Sequence, residues 1–228
     1  MKKLVLFFSL LCFGLSFSQS NIEGIGIFKL RKTKVAVIDS LVQNGGYDLK
    51  VCDSPDKCNI EGVSSKIIFE LKKQTKSETY YPLIDGHQVF VLSKYAVADF
   101  EIKELYLNFY NGVLYEIKTS NLTPLDEKLK LKYKSEIKVE EKEVKCTSVY
   151  GEIKRKEQTF TVTYRKDEIE AYSVLMSFFN YKCKEEYITL FVMYDKKINE
   201  EVRNKTKVVL DELKKSEQSK TKENLKDL

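Results

Sequence analysis

The chain has 228 residues, 43% hydrophobic and 12% aromatic, a composition that excludes a disordered polymer and suffices for one sizeable core or two small ones. Charged residues make up 32%, yet 39 Lys and Arg oppose 34 Asp and Glu, leaving a net charge of +5. Such a near balance, without a clustered basic excess, argues against a nucleic-acid-binding protein.

Residues 1–18 read as a secretory signal peptide. Lys2 and Lys3 form the basic start, Leu4 to Phe17 the apolar stretch, and Ser16 and Ser18 the small residues of a cleavage site ahead of Gln19. The apolar stretch is shorter than the roughly 20 residues a spanning helix needs. Leu10 and Leu11 before Cys12 disfavour a lipidation site. The expected product is an exported, soluble chain with no membrane span after signal cleavage.

Ile22 to Phe28 is a short alternating segment whose glycines suggest an edge or bend. Thr33 then has the chemistry of a helix N-cap. Val35, Ile38, Leu41 and Val42 follow at helical spacing, and Gly45-Gly46 closes the helix. Tyr47–Val51, Ile67–Leu71 and Val89–Leu92 have strand character. The clearest element is a hairpin in which Leu105, Leu107 and Phe109 lead to an Asn111-Gly112 turn, and Val113, Tyr115 and Ile117 return. Thr123-Pro124, followed by Asp126 and Glu127, starts a second short helix ending near Lys134. Strands then return around Ile137, Val144, Phe160–Tyr164, Ile169–Tyr181 and Tyr187–Tyr194. Ile198, Val202, Val209 and Leu213 define a last amphipathic helix.

The pattern predicts an α+β fold, antiparallel sheets with helices packed on one face, with a hint of two similar units. The expected division is a signal peptide (1–18), a first α+β unit (19–134), a second antiparallel unit with a C-terminal helix (135–215) and a loose tail (216–228).

Four cysteines remain after the signal segment: Cys52, Cys58, Cys146 and Cys183. An exported chain permits disulfides, and three pairings exist. Cys52–Cys58 around a tight-turn sequence, leaving Cys146–Cys183, is favoured. The spacing does not suit structural zinc, and no metal or cofactor is expected. His87 is the lone imidazole, follows a turn-like Asp85-Gly86, and reads as an ordinary loop or strand-start histidine. Neither a Gly-x-Ser-x-Gly elbow nor a phosphate loop is present, and the Asp53–Glu61 stretch fails calcium-loop spacing. Most acids sit beside lysines, so no carboxylate pair stands out for glycoside chemistry.

Fourteen tyrosines are the more informative feature. Tyr106 and Tyr110 fall opposite Leu105, Leu107 and Phe109 by strand parity. With Tyr115, Tyr80 and Tyr81 they outline a Tyr-rich sheet face of the kind favoured at protein contacts.

The Ile22–Gln43 opening and the Leu-x-Phe-x-Asn-Gly-x-Leu hairpin resemble uncharacterised exported proteins of Bacteroidetes type, as do the Phe-Ser-Gln end of the signal segment and the Lys-rich composition. Over residues 22–134 the helix-then-meander plan is similar to periplasmic α+β domains of the β-lactamase-inhibitor-like kind. The resemblance implies protein binding and carries over no catalytic residue. The expected function is therefore that of an exported, non-enzymatic binding or envelope-interaction protein, its partner a protein or envelope component. An exported hydrolase using carboxylate chemistry and a carrier of a small apolar ligand between sheet and helix are the alternatives.

Overall fold

The computed structural model describes residues 23–53, 58, 60, 63–73, 82–97, 100–120, 129, 134–148 and 151–224. The signal segment and most of the expected 123–134 helix lie outside them. A two-residue-strand hairpin opens the chain, β1 (Gly24–Ile25) and β2 (Phe28–Lys29), followed by helix α1 (Val37–Asn44). Nine strands then form one sheet: β3 (Asp48–Cys52), β4 (Ile67–Leu71), β5 (His87–Val97), β6 (Phe100–Tyr110), β7 (Val113–Thr119), β8 (Ser135–Ser148), β9 (Gly151–Lys166), β10 (Ile169–Phe179) and β11 (Glu185–Asp195). Helix α2 (Lys196–Asn224) ends the described chain.

The order across the sheet is β3-β4-β5-β6-β7-β11-β10-β9-β8. Only β3 and β4 run parallel; the other neighbours are antiparallel. With 58% strand and 19% helix, the protein is mostly β, which overturns the expected helix-packed α+β arrangement. The reason lies in residues 135–195, whose alternating β-branched and aromatic residues build four strands of 11 to 16 residues. Nor do the helices share a face. The residues of β1, β2 and α1 (Ile25, Phe28, Ile38) join the main core with Leu92, Leu105, Leu107, Phe109, Ile117 and Phe191. Helix α2 lies on the opposite face, where Val202 packs with Ile84, Tyr110 and Tyr115.

The single sheet crosses the expected boundary at residue 134, because β7 pairs with β11 from Thr119↔Phe191 to Glu116↔Tyr194. Thr33 does not cap α1, which begins after Ala36 without a side-chain cap. Its Oγ1 instead accepts from the Lys29 N–H at 2.7 Å and fastens the turn beyond β2. Helix α2 continues to Asn224 where the sequence suggested a loose tail from 216. Apolar residues thin out there, but no Gly or Pro interrupts 196–224, and loss of an apolar stripe does not by itself end a helix.

The Asn111-Gly112 turn forms as expected, with both residues at positive φ (50° and 73°) and Tyr110 paired to Val113. Both disulfides form in the favoured pairing, Cys52–Cys58 and Cys146–Cys183. None of the described helices is long and apolar enough to cross a membrane.

Asp195 joins all three layers. It ends β11, is 1% exposed, accepts the Ile198 N–H at 2.9 Å as a cap on α2, and pairs with Arg31 beyond the β1–β2 hairpin. Arg31 is half exposed, so the cap and the burial of the carboxylate outweigh the ion pair. Asp195→Ala is expected to cost about 2–3 kcal/mol in urea unfolding, and Asp195→Asn, which keeps a cap acceptor, about 1 kcal/mol. Equal losses for the two would show that the cap contributes little.

Candidate functional site

Strand β7 changes neighbour partway along its length. Near its start, Leu114 exchanges backbone hydrogen bonds with residues 31–33: Arg31 N–H to Leu114 O at 2.9 Å and Leu114 N–H to Thr33 O at 3.0 Å. From Glu116 onward its partner on that side is β11. Tyr115 sits at the changeover as the extra residue of a β-bulge, because Asn108 pairs with Glu116 while Phe109 pairs with Leu114. A bulge breaks strand alternation. Leu114 and Ile117 therefore go to the main core, while both Tyr115 and Glu116 face α2.

On that face the sheet and α2 enclose a groove of about 890 Å³, within the usual range for small-ligand sites. The helix touches down at its N-terminal end, through Val202 and Ile198, and is clamped there by polar contacts. Tyr110 donates to Glu201 at 3.1 Å, and Lys205 donates to Tyr110 at 2.6 Å and to Glu201 at 2.8 Å. Farther along, the helix stripe facing the sheet is Val202, Arg203, Thr206, Lys207, Leu210 and Lys214, mostly polar, and the groove stays open beneath it.

The groove floor holds a cluster of polar groups. His87 Nε2 lies 3.2 Å from the Tyr115 hydroxyl and 3.4 Å from Asn108 Oδ1. Its Nδ1 is buried with no hydrogen-bond partner among the described residues. Whichever nitrogen carries the proton, the Nδ1 side of the ring is unsatisfied by protein. Burial holds the imidazole pKa below its ordinary value, with the nearby Lys118 charge acting in the same sense against the Asn108 contact. Burial likewise pushes the Tyr115 hydroxyl up, beyond any physiological titration. Glu116 is 8% exposed and its pKa is raised, chiefly by burial; Lys118, 3.1 Å away, and Arg203 oppose that rise. Across the β7–β11 seam, Tyr172 and Tyr194 stand edge-to-face with centroids 6.1 Å apart, and Tyr194 donates to Glu170 at 2.7 Å.

The sequence-nominated tyrosines separate. Tyr106 and Tyr115 both line the groove, Tyr106 half-buried. Tyr110 is 8% exposed and is consumed by the α2 clamp, so the face expected to be an open contact surface is covered by a helix. Tyr80 and Tyr81 lie outside the described residues. The disulfide cysteines lie away from the groove lining. Sequence reasoning missed His87, Asn108, Glu116, Tyr172, Tyr194 and Arg203. A Glu between the apolar residues Tyr115 and Ile117 of β7 was the available signal.

Among the described residues no three His, Cys, Asp or Glu side chains gather as a metal site. Comparison with protein-family models, curated proteins and solved structures returns no match.

The buried imidazole gives a pH signature. An unfolded chain takes up the His87 proton near pH 6.5, before the folded one does, so this group's stabilisation is lost as pH falls below that value. Glu116 works oppositely, because burial favours its protonated form and acid relieves its penalty. The informative quantity is therefore the difference between wild type and His87→Gln. Urea midpoints should converge on lowering the pH from 7.5 to 5, as the wild type alone loses the histidine contribution; parallel curves would show that burial does not shift the imidazole.

Proposed function

We propose that the protein is an exported, non-enzymatic binding protein that holds a small amphipathic anion in the groove between the sheet and α2. The observation that carries this reading is the open groove itself, floored by His87, whose buried Nδ1 has no hydrogen-bond partner among the described residues. Buried polar atoms are ordinarily paired, so an unpaired one in the lining of a roomy polar site suggests a ligand or water contact. The lining supplies the rest of the chemistry. Leu83, Val89, Leu190 and Leu210 offer apolar surface, and Tyr106, Tyr172 and Tyr194 offer ring area. Lys118, Arg203, Lys207 and Lys214 outnumber Glu104, Glu116 and Asp211 in the lining, and the excess lies on α2, while Glu116 is answered by Lys118. Two disulfides support an oxidising destination, in keeping with the signal-like N-terminus.

The groove relocates the expected binding role from an open tyrosine face to the space beneath the helix. Its mixed lining favours an amphipathic over a purely apolar ligand.

A fluorescent aromatic sulfonate, 1-anilinonaphthalene-8-sulfonate, tests the reading. The purified protein should bind it saturably with one site. Arg203→Ala with Lys207→Ala should weaken binding about tenfold, and Thr206→Trp should block the groove. Absence of saturable binding, or binding indifferent to these substitutions, would reject the groove as the site.

A further inference from the structure

The half of the sheet made by β8, β9 and the far ends of β10 and β11 is bare on the face that elsewhere carries the main core. Aligned across it are Val139, Phe160 and Leu175, with Ile137 and Val162 in the next rank. Ile137 is 65% exposed, Val139 51%, and Phe160 and Leu175 close to 40%. Ranked beyond Ile137, Val162 and Ser173 lies the fully buried Phe191, so this is the core face continued into solvent. Strand β8, 14 residues long, is the outer edge of the sheet, and among the described residues no strand pairs with its free side. Long edges beside exposed apolar surface are ready templates for another strand.

We infer that a second copy of this chain occupies that edge, β8 pairing antiparallel with β8 about a two-fold axis through Val139. The sign pattern of β8 fits a second copy: centring on Val139 and centring on Ile137 both match charges, the latter through Glu136 with Lys138 and Lys134 with Glu140, but only the former sets Val139 against itself instead of against Ser135. Antiparallel partners present their side chains on the same face of a sheet, so residues of like parity meet across the axis. Centred on Val139, Lys138 faces Glu140 of the second copy and Glu136 faces Lys142, each twice by symmetry. On the other face Val139 meets itself, with Ile137 diagonal to it and directly opposite Glu141, so the two apolar patches join at Val139. Centring on Glu140 opposes Glu140 with itself and Lys138 with Lys142. Centring on Lys138 opposes Lys138 with itself and Glu136 with Glu140. Both alternatives set like charges directly opposite one another, which is destabilising.

The intrachain pairing leaves Lys138 and Glu140 available, whereas Glu136 is shared with Arg165 of β9 at 3.0 Å. On the opposite side of β8, Glu141, Glu143 and Lys145 are answered by Lys156, Lys154 and Glu152 of β9. Lys138 and Glu140 pair only within their own strand, at 2.6 Å, with side chains 69% and 59% exposed. A continuous sheet through two copies follows, and the interface is isologous, as closed dimers require. The ligand groove lies at the far side of β10 and β11 and does not depend on it.

Sedimentation velocity on the mature full chain, from micromolar to near-millimolar concentration, should show a concentration-dependent doubling of mass. Lys138→Glu places Glu opposite Glu twice and should weaken the dimer at least about tenfold. The swap Lys138→Glu with Glu140→Lys restores every cross-axis pair and should restore the dimer. All these side chains are exposed, so an unchanged circular dichroism spectrum confirms that folding is intact. Val139→Cys should yield a disulfide-linked dimer under mild oxidation, because facing Cα atoms in such a pair lie about 4.5–5.5 Å apart. A monomer throughout the range, a dimer indifferent to Lys138→Glu, or a swap that fails to rescue would overturn the proposal.

Discussion

The structure turns on the place where β7 exchanges one edge partner for another. Upstream of Tyr115 its free side is bonded by residues 31–35, including Val35 N–H to Gly112 O at 3.0 Å; downstream it is bonded by β11. The bulge at Tyr115, in the pairing of β7 with β6, falls at this changeover. The seam between β7 and β11 is only four residue pairs long, yet among the described residues it is the one strand pairing that fuses the β3–β7 half of the sheet to the β8–β11 half. Arg31 and Asp195 meet at the same junction, tying the N-terminal layer to the last strand and to the start of α2. The seam is thus held by backbone pairing, one ion pair and one helix cap, all within a few residues.

The groove is a direct consequence. Because the bulge turns both Tyr115 and Glu116 to the α2 side, a polar group is forced into a position that a regular strand would have given to solvent or core alternately. Helix α2 starts at Asp195, immediately beyond the seam, and must cross that face. Its first turns bring Ile198 and Val202 down onto Tyr110 and Tyr115, and the Tyr110–Glu201–Lys205 clamp fixes them. Beyond Val202 the inward stripe turns polar, and there is little hydrophobic gain in closing the gap. A buried neutral histidine, a tyrosine that does not ionise and a glutamate held by Lys118 then share one low-dielectric space. Such a cluster costs stability unless something completes it, which is how binding sites commonly differ from cores.

Much of this was legible locally and little of it globally. The Asn111-Gly112 hairpin, the β10 and β11 strands, the amphipathic register of α2 and the short Cys52–Cys58 loop each rest on a few nearby residues whose chemistry favours them. The α+β expectation failed because separate hairpins carry no mark of which neighbours they will pair with; Glu116↔Tyr194 is a contact 78 residues apart that no local pattern announces. Thr33 shows the same limit at small scale. It has the composition of an N-cap but spends its hydroxyl on Lys29 N–H and Ile27 O, fixing a turn four residues earlier than the helix. Tyr115 was nominated for the right region and the wrong reason. It was read as an exposed contact, and the bulge instead buries it to 2% exposure as part of a floor.

The two halves of the sheet differ in what covers them, and that difference follows from the order of the chain. The β3–β7 half is built between the N-terminal hairpin and α1 on one side, and α2 with Cys58, Ile60 and Val63 on the other, so both its faces carry covering elements. The β8–β10 half is added outward from β11, away from every covering element among the described residues except the seam itself. Its strands are nevertheless longer, and their core-side positions still alternate with apolar residues out to Val139. A sequence under no demand to cover that face would place polar residues there, as β8 does at Glu141 and Glu143 farther along the same side. The apolar run stops where the charges of β9 begin to answer those of β8. That boundary divides the wing into a part stabilised within the chain by ion pairs and the Cys146–Cys183 link, and a part whose surface is complementary to itself.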